Sequence, residues 1–173
     1  LAWVTRRLAD GAPDLSFSDD GWKTFRFSDD EESRPTAVAV DEGGRTIVGG
    51  EVSFFVSKSY LVRLTASGDL DGGFGGGDGI VGPLDERPAR TLALDPSTGR
   101  IAGGGGSPGF PRFGFVNVFT SAGAPDTMFS GDGYVDLDLE EGTSILGLAF
   151  QSDGKLLAAG AIDANGANEG GFF

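Results

Sequence analysis

The chain has 173 residues, 39% of them hydrophobic, which is enough to bury a core and too apolar for a disordered polypeptide. A formal net charge of -13 opposes close approach to DNA or RNA phosphates, and the lack of any His or Cys excludes Ser-His-Asp and Cys-His catalysis, conventional zinc sites and thiolate-held haem or iron–sulfur centres. Only oxygen-ligand metals remain, and no run approaches the roughly 20 apolar residues that cross a bilayer.

Thirty-one glycines and eight prolines, spread along the chain, predict many short strands joined by tight turns. The opening "WVTRRLADG" reads as a strand and lacks the apolar core of a signal peptide, so a soluble or mature chain is expected. "GAPDLSF", from Gly11 to Phe17, leads through Asp20-Gly21 into the strand-like "WKTFRF". An acidic connection, "SDDEES", then carries Asp29, Asp30, Glu31 and Glu32. "TAVAVDEGGRTIVGG" reads as a hairpin, two apolar strands around a turn rich in Gly and Asp. "EVSFFVSKS" places Phe54 and Phe55 in loop-like sequence, and "YLVRLTASG" is a further strand.

The same order then returns. "GDLDGGF", from Gly68 to Phe74, is followed by Asp78-Gly79, the run "IVGPL", the acids Asp85 and Glu86, and the hairpin "TLALDPSTGRIAGGG". Next come a loop "SPGFPRFG" with Phe110 and Phe113, and the strand "FVNVFTSAG". A third pass runs from "GAPDTMF", Gly123 to Phe129, through Asp132-Gly133, "YVDLDL", Glu140 and Glu141 to the hairpin "LGLAFQSDGKLLAAG". Within the hairpins Gly44, Gly99 and Gly154 recur every 55 residues, each followed by a basic residue, Arg45, Arg100 or Lys155. About four strands per repeat is the content of one β-propeller blade, whereas a 34-residue helical repeat or a β-helix rung fits neither the length nor the period-two runs.

These residues resemble the bacterial delta-sixty repeats, whose pattern is similar to "GDLDGGFGGGDG", "FQSDGKLLAAG" and "YLVRL" over nearly the whole chain. Val118 stands where Arg6 and Arg63 sit in the other copies. The resemblance implies propeller blades in a secreted or cell-surface bacterial protein, with the periplasm as the other compartment, and it implies no particular chemistry. The expected fold is all-β, a β-propeller segment of about three four-stranded blades within a larger ring. Residues 1–10 would be the last strand of a preceding blade, 11–67 and 68–122 two repeats, and 123–173 an incomplete third. Further blades would come from the same longer chain, the favoured reading, or from a second copy that pairs head to tail to give six blades.

"GDLDGGFGGGDGIVG" invites comparison with calcium-binding nonapeptides, but its aspartate falls one position late, and calcium takes six to eight oxygens. No Gly-Lys-Ser/Thr follows, which removes a phosphate-binding loop. The stretch therefore reads as turn architecture, and no cofactor is expected, calcium being the one candidate. Asp14, Asp71 and Asp126, with Phe17, Phe74 and Phe129, recur in register, so the aspartates should accept turn amides and the rings should fill the space between blades.

Two features suit partner binding. Asp29, Asp30, Glu31, Glu32, Asp85, Glu86, Glu140 and Glu141 would form an acidic rim for calcium or a basic partner, the plain alternative being solvated turns. Phe54, Phe55, Phe110 and Phe113 occupy connections that do not repeat and would meet a protein or surface partner, the alternative being packing on their own blade. The expected role is a non-enzymatic binding or structural module with a protein or cell-surface partner and no nucleic acid. A carboxylate-dependent glycan hydrolase or lyase, and a calcium-stabilised structural protein, are the alternatives.

Overall fold

A computed structural model of the chain describes residues 1–27, 32–53, 58–84, 88–106, 113–137, 139 and 142–162. The elements are β1 (Ala2–Thr5), β2 (Trp22–Phe25), β3 (Glu32–Val40), β4 (Thr46–Ser53), β5 (Lys58–Leu64), β6 (Ile80–Leu84), β7 (Thr91–Leu94), β8 (Ile101–Gly106), β9 (Gly114–Phe119), β10 (Tyr134–Leu137), β11 (Thr143–Phe150) and β12 (Leu156–Ile162). Among the described residues there is no helix long and apolar enough to cross a membrane.

The strands form two four-stranded antiparallel sheets, β3-β4-β5-β6 and β7-β8-β9-β10, and two two-stranded sheets, β1-β2 and β11-β12. The fold is all-β, with the four-stranded sheets of a propeller segment. Sheets and sequence repeats are out of phase by one strand. The strand that follows each G-x-x-D-x-x-F turn folds back on the last strand of the repeat before it, so β6 pairs with β5 and β10 with β9. The turn itself causes this reversal. Leu64 bridges Leu70, and the Arg63 amide donates to the Gly79 carbonyl at 2.9 Å, so the chain leaves the turn antiparallel to the strand by which it entered.

Each turn is locked as its sequence predicts. Asp14, Asp71 and Asp126 accept the amides of Ser16, Gly73 and Met128 at 3.0, 2.9 and 3.1 Å. Asp20, Asp78 and Asp132 accept those of Trp22, Ile80 and Tyr134 and so start the next strand. Phe17 and Phe74 are fully buried between sheets. Phe74 packs with Ile47 and Leu61 of one sheet and Ile101 and Phe119 of the next, and Phe129 packs against the cluster that joins the second four-stranded sheet to β11-β12. Burying such a ring contributes about 2–3 kcal/mol relative to leaving it in water. The first strands of successive sheets lie side by side, β3 against β7 and β7 against β11, and the Thr36 hydroxyl donates to the Ala89 carbonyl across the first of these junctions.

Candidate functional site

The register sorts the connections between two ends of the sheets. The hairpin turns 41–45, 95–100 and 151–155 and the three G-x-x-D-x-x-F turns lie at one end. Phe27 and Glu32, Ser53 and Lys58, Leu84 and Pro88, Gly106 and Phe113, and Leu137 and Gly142 flank the remaining connections, and the strands they adjoin all terminate at the opposite end. The described residues that flank the acidic and aromatic connections therefore lie together, away from the repeated turns.

Of the residues expected to bind a partner, Glu32 and Phe113 are described. Glu32 opens β3 opposite Ser53, its side chain is 65% exposed, and it pairs with Arg34 at 3.0 Å. A pair so open to solvent contributes under about 1 kcal/mol and leaves the carboxylate available. Phe113 is half-buried just before β9. Asp29, Asp30, Glu31, Asp85, Glu86, Glu140, Glu141, Phe54, Phe55 and Phe110 lie outside the described residues. Aromatic rings stack on the outer strands of the sheets. Phe27 stacks on Tyr60 at 5.9 Å between ring centres and meets Phe25 edge-on at 5.6 Å, and Phe115 stacks on Tyr134 at 6.5 Å.

At the turn end three arginines join neighbouring sheets. The Arg63 guanidinium is buried, with Nε 2.7 Å from Asp71, the Phe74 ring 4.6 Å away, and Nη1 donating to the Ser121 carbonyl of the next repeat. Arg6 repeats the arrangement, with Asp14 at 2.8 Å, Phe17 at 4.9 Å and the Ala66 carbonyl at 2.6 Å. In the third copy Val118 removes the arginine, and Arg100 takes over from the hairpin. It lies 3.7 Å from Asp126, 5.1 Å from the Phe150 ring and 3.1 Å from the Gly154 carbonyl. The sequence marks Arg100 only as the basic residue after a turn glycine, and nothing in the one-dimensional pattern shows this substitution of one arginine for another.

Between the turns 41–45 and 95–99 lies a cavity of about 400 Å³, lined among others by Asp41, Arg45, Arg63, Asp95 and Ser121. Two of its carboxylates, Asp41 and Asp95, are already engaged. Burial raises the Asp41 carboxyl, but the amide of Arg45 and its guanidinium, 2.6 Å away, outweigh that and hold it below the ordinary range. Burial likewise works against the Asp95 carboxylate, and the hydroxyls of Thr98 and Ser97 with the Arg100 guanidinium overcome it and hold Asp95 far below the ordinary range. Asp71 is lowered by the Gly73 amide, against burial, and by Arg63, and Asp14 chiefly by the Ser16 hydroxyl. These shifts favour fixed anions in ion pairs, the opposite of the raised carboxyl that a general acid needs. Among the described residues no three Asp or Glu side chains cluster as ligands of a metal ion.

A family model described as "Domain of unknown function (DUF5122) beta-propeller" matches residues 44–74. The matched segment runs from the first hairpin turn through β4 and β5 to Phe74, and so includes the Arg63–Asp71–Phe74 unit. No curated protein was found to match the chain. Sheet geometry and sequence match agree that the chain is built from β-propeller repeats.

Proposed function

We propose that this chain is a non-enzymatic binding or structural β-propeller module of a secreted or cell-surface bacterial protein, which mediates protein or surface interactions through the end of the sheets opposite the repeated turns. The observation that carries this reading is the separation of the two ends: arginines of the repeated turns reach across to neighbouring sheets, while the described residues that flank the varying connections lie at the other end. Variable loops on a rigid scaffold are the usual seat of recognition. The downward shifts of the buried carboxyls support a structural use of those groups. The narrower assignment to the delta-sixty repeats, and with it the bacterial and extracellular setting, rests on the resemblance of "GDLDGGFGGGDG" and "FQSDGKLLAAG" to that pattern.

The test compares two variants of equal charge loss. One carries Asp29→Asn, Asp30→Asn, Glu31→Gln and Glu32→Gln; the other carries Asp10→Asn, Asp19→Asn, Glu42→Gln and Asp69→Asn at the turn end. Binding to an immobilised lysine-rich peptide at 0.15 M salt is expected to fall about tenfold or more in the first variant and to change little in the second, with unchanged melting temperatures. Equal loss in both would reduce the effect to net charge. Turnover of a glycan that the first variant abolishes would replace the binding role with an enzymatic one.

A further inference from the structure

The cavity between the turns 41–45 and 95–99 lies where an arginine crosses at the next junction. There Arg100, the basic residue after Gly99, leaves its own turn and donates from Nη2 to the Gly154 carbonyl at 3.1 Å. Arg45, the basic residue after Gly44, stays on its own turn: its amide and its Nε both donate to Asp41, the latter at 2.6 Å. A methyl added at Gly154 would meet Arg100 Nη2 at 3.4 Å, whereas one added at Gly99 would meet only Ser121. The space of about 400 Å³ between the two turns is of the size that small-molecule sites have.

Three kinds of group line it. Ile47 and Ile101, buried in the cluster around Phe74, and Leu94, packed against that cluster, make an aliphatic wall. Arg45 is 42% exposed along its side chain, and among the described residues its Nη1 and Nη2 have no partner. Beside it, Arg63 donates from Nη1 to the Ser121 carbonyl, but its Nη2 has lost an acceptor. In the first turn Arg6 Nη2 donates to the Ser16 hydroxyl at 2.8 Å, and in the second turn Gly73 stands in place of that serine. Glu42 is exposed and, unlike Asp41 and Asp95, engages no partner among the described residues.

A guanidinium with both terminal nitrogens free offers the fork that a carboxylate accepts through two parallel hydrogen bonds. A free carboxylate on the same cavity suits an ammonium. A ligand that carries both groups is neutral overall, so the net charge of -13 does not repel it as it would a simple anion. The aliphatic wall calls for an apolar body between or beside the two charges.

We propose that this cavity binds a free α-amino acid with an aliphatic side chain, its carboxylate on Arg45 and Arg63, its ammonium on Glu42 and its side chain against Ile47, Leu94 and Ile101. The site lies among the repeated turns and is independent of the partner-binding end.

The experiment is calorimetric titration of the 173-residue chain with L-leucine, with isocaproate, which lacks the ammonium, and with leucinol, which lacks the carboxylate. Leucine is expected to bind saturably and the other two about tenfold or more weakly, the scale of one lost charged contact. Glu42→Gln, at an exposed and unpartnered position, should fold as the wild type does, lower the leucine affinity about tenfold and leave that of isocaproate unchanged. Arg45→Gln should weaken both, and Glu42→Gln carries the test alone if the loss of the Asp41 partner lowers the melting point of Arg45→Gln. Asp19→Asn, outside the cavity, should bind leucine as the wild type does. No saturable binding of leucine overturns the proposal. Leucine affinity that is unchanged in Glu42→Gln, or that falls equally in Asp19→Asn, overturns the site, and isocaproate or leucinol bound as tightly as leucine overturns the zwitterion as its ligand.

Discussion

Asp95 shows how a single carboxylate joins two blades. It is 2% exposed, its Oδ1 accepts the Ser97 amide at 3.0 Å and hydroxyl at 2.7 Å, and its Oδ2 accepts the Thr98 hydroxyl at 2.6 Å and Arg100 Nη2 at 2.9 Å. The same Nη2 reaches on to the Gly154 carbonyl, so the carboxylate orients the group that crosses to the next hairpin. An asparagine has the shape but offers one acceptor oxygen, and its NH₂ would face donors. Asp95→Asn is therefore expected to destabilise the chain by about 3 kcal/mol at neutral pH, as removal of one partner of a buried pair does. The sign of the pH dependence follows from the lowered carboxyl. The unfolded chain binds the proton more readily, near pH 3.9, so the contribution is full above that value and is lost as pH falls through the folded one. Urea midpoints of the wild type and the variant at pH 7, 5 and 3 should differ most at pH 7 and 5 and draw together at pH 3. A gap that stays constant down to pH 3 would show that Asp95 acts by shape rather than charge.

At the scale of elements, the hairpins depend on one close approach. Gly50, Gly105 and Gly160 end the runs "TIVGG", "IAGGG" and "LLAAG", and each lies against a backbone carbonyl, that of Arg34 in β3, of Pro88 just before β7 or of Ser144 in β11. A methyl on Gly50 would sit 2.5 Å from the Arg34 oxygen and would also enter the Phe27 ring. In the first and third copies the glycine stands beside a register shift, between Pro35 and Ala37 and between Ile145 and Gly147, where the partner strand bulges toward it. Gly50→Ala should therefore cost about 2–3 kcal/mol by overpacking. Gly76→Ala, at φ +88° with open space around it, should cost about 1 kcal/mol of backbone strain alone. Thermal melts of the two variants separate these effects, and equal losses would remove the role assigned to the bulge. The terminal glycine was visible in the sequence as a recurring letter; its reason was not, because a carbonyl contributed by another strand has no signature in the run itself. The aspartate-to-amide bonds of the G-x-x-D-x-x-F turns were legible, since they are made within seven residues, and the ring's place between sheets was legible from its recurrence. The one-strand offset between repeat and sheet was not legible, because pairing of β5 with β6 depends on where the chain goes after the turn rather than on the turn's own residues.

Across the whole molecule, charge is distributed unevenly between joints and surface. Of 13 basic residues against 26 acidic ones, Arg6, Arg45, Arg63, Arg100 and Lys155 are committed to aspartates of the repeated turns, which leaves a surplus of carboxylates that repel one another across the surface. The most buried of these pairs, Arg63 with Asp71, is poorly screened by salt, whereas the surplus is screened well once the Debye length falls from about 30 Å at 0.01 M to about 8 Å at 0.15 M. Repulsion should thus lose more than attraction, and the chain should melt higher in salt. A gain of ~1 kcal/mol, or about 3 °C for a chain of this length, is the expected scale. A melting point that falls with added sodium chloride would mean that exposed ion pairs dominate instead. Calcium and magnesium at matched ionic strength should raise the melting point alike, because diffuse screening does not distinguish them. A rise with calcium alone, reversed by chelator, would instead require a specific oxygen-lined site, and the acidic connections opposite the repeated turns would be where to seek it.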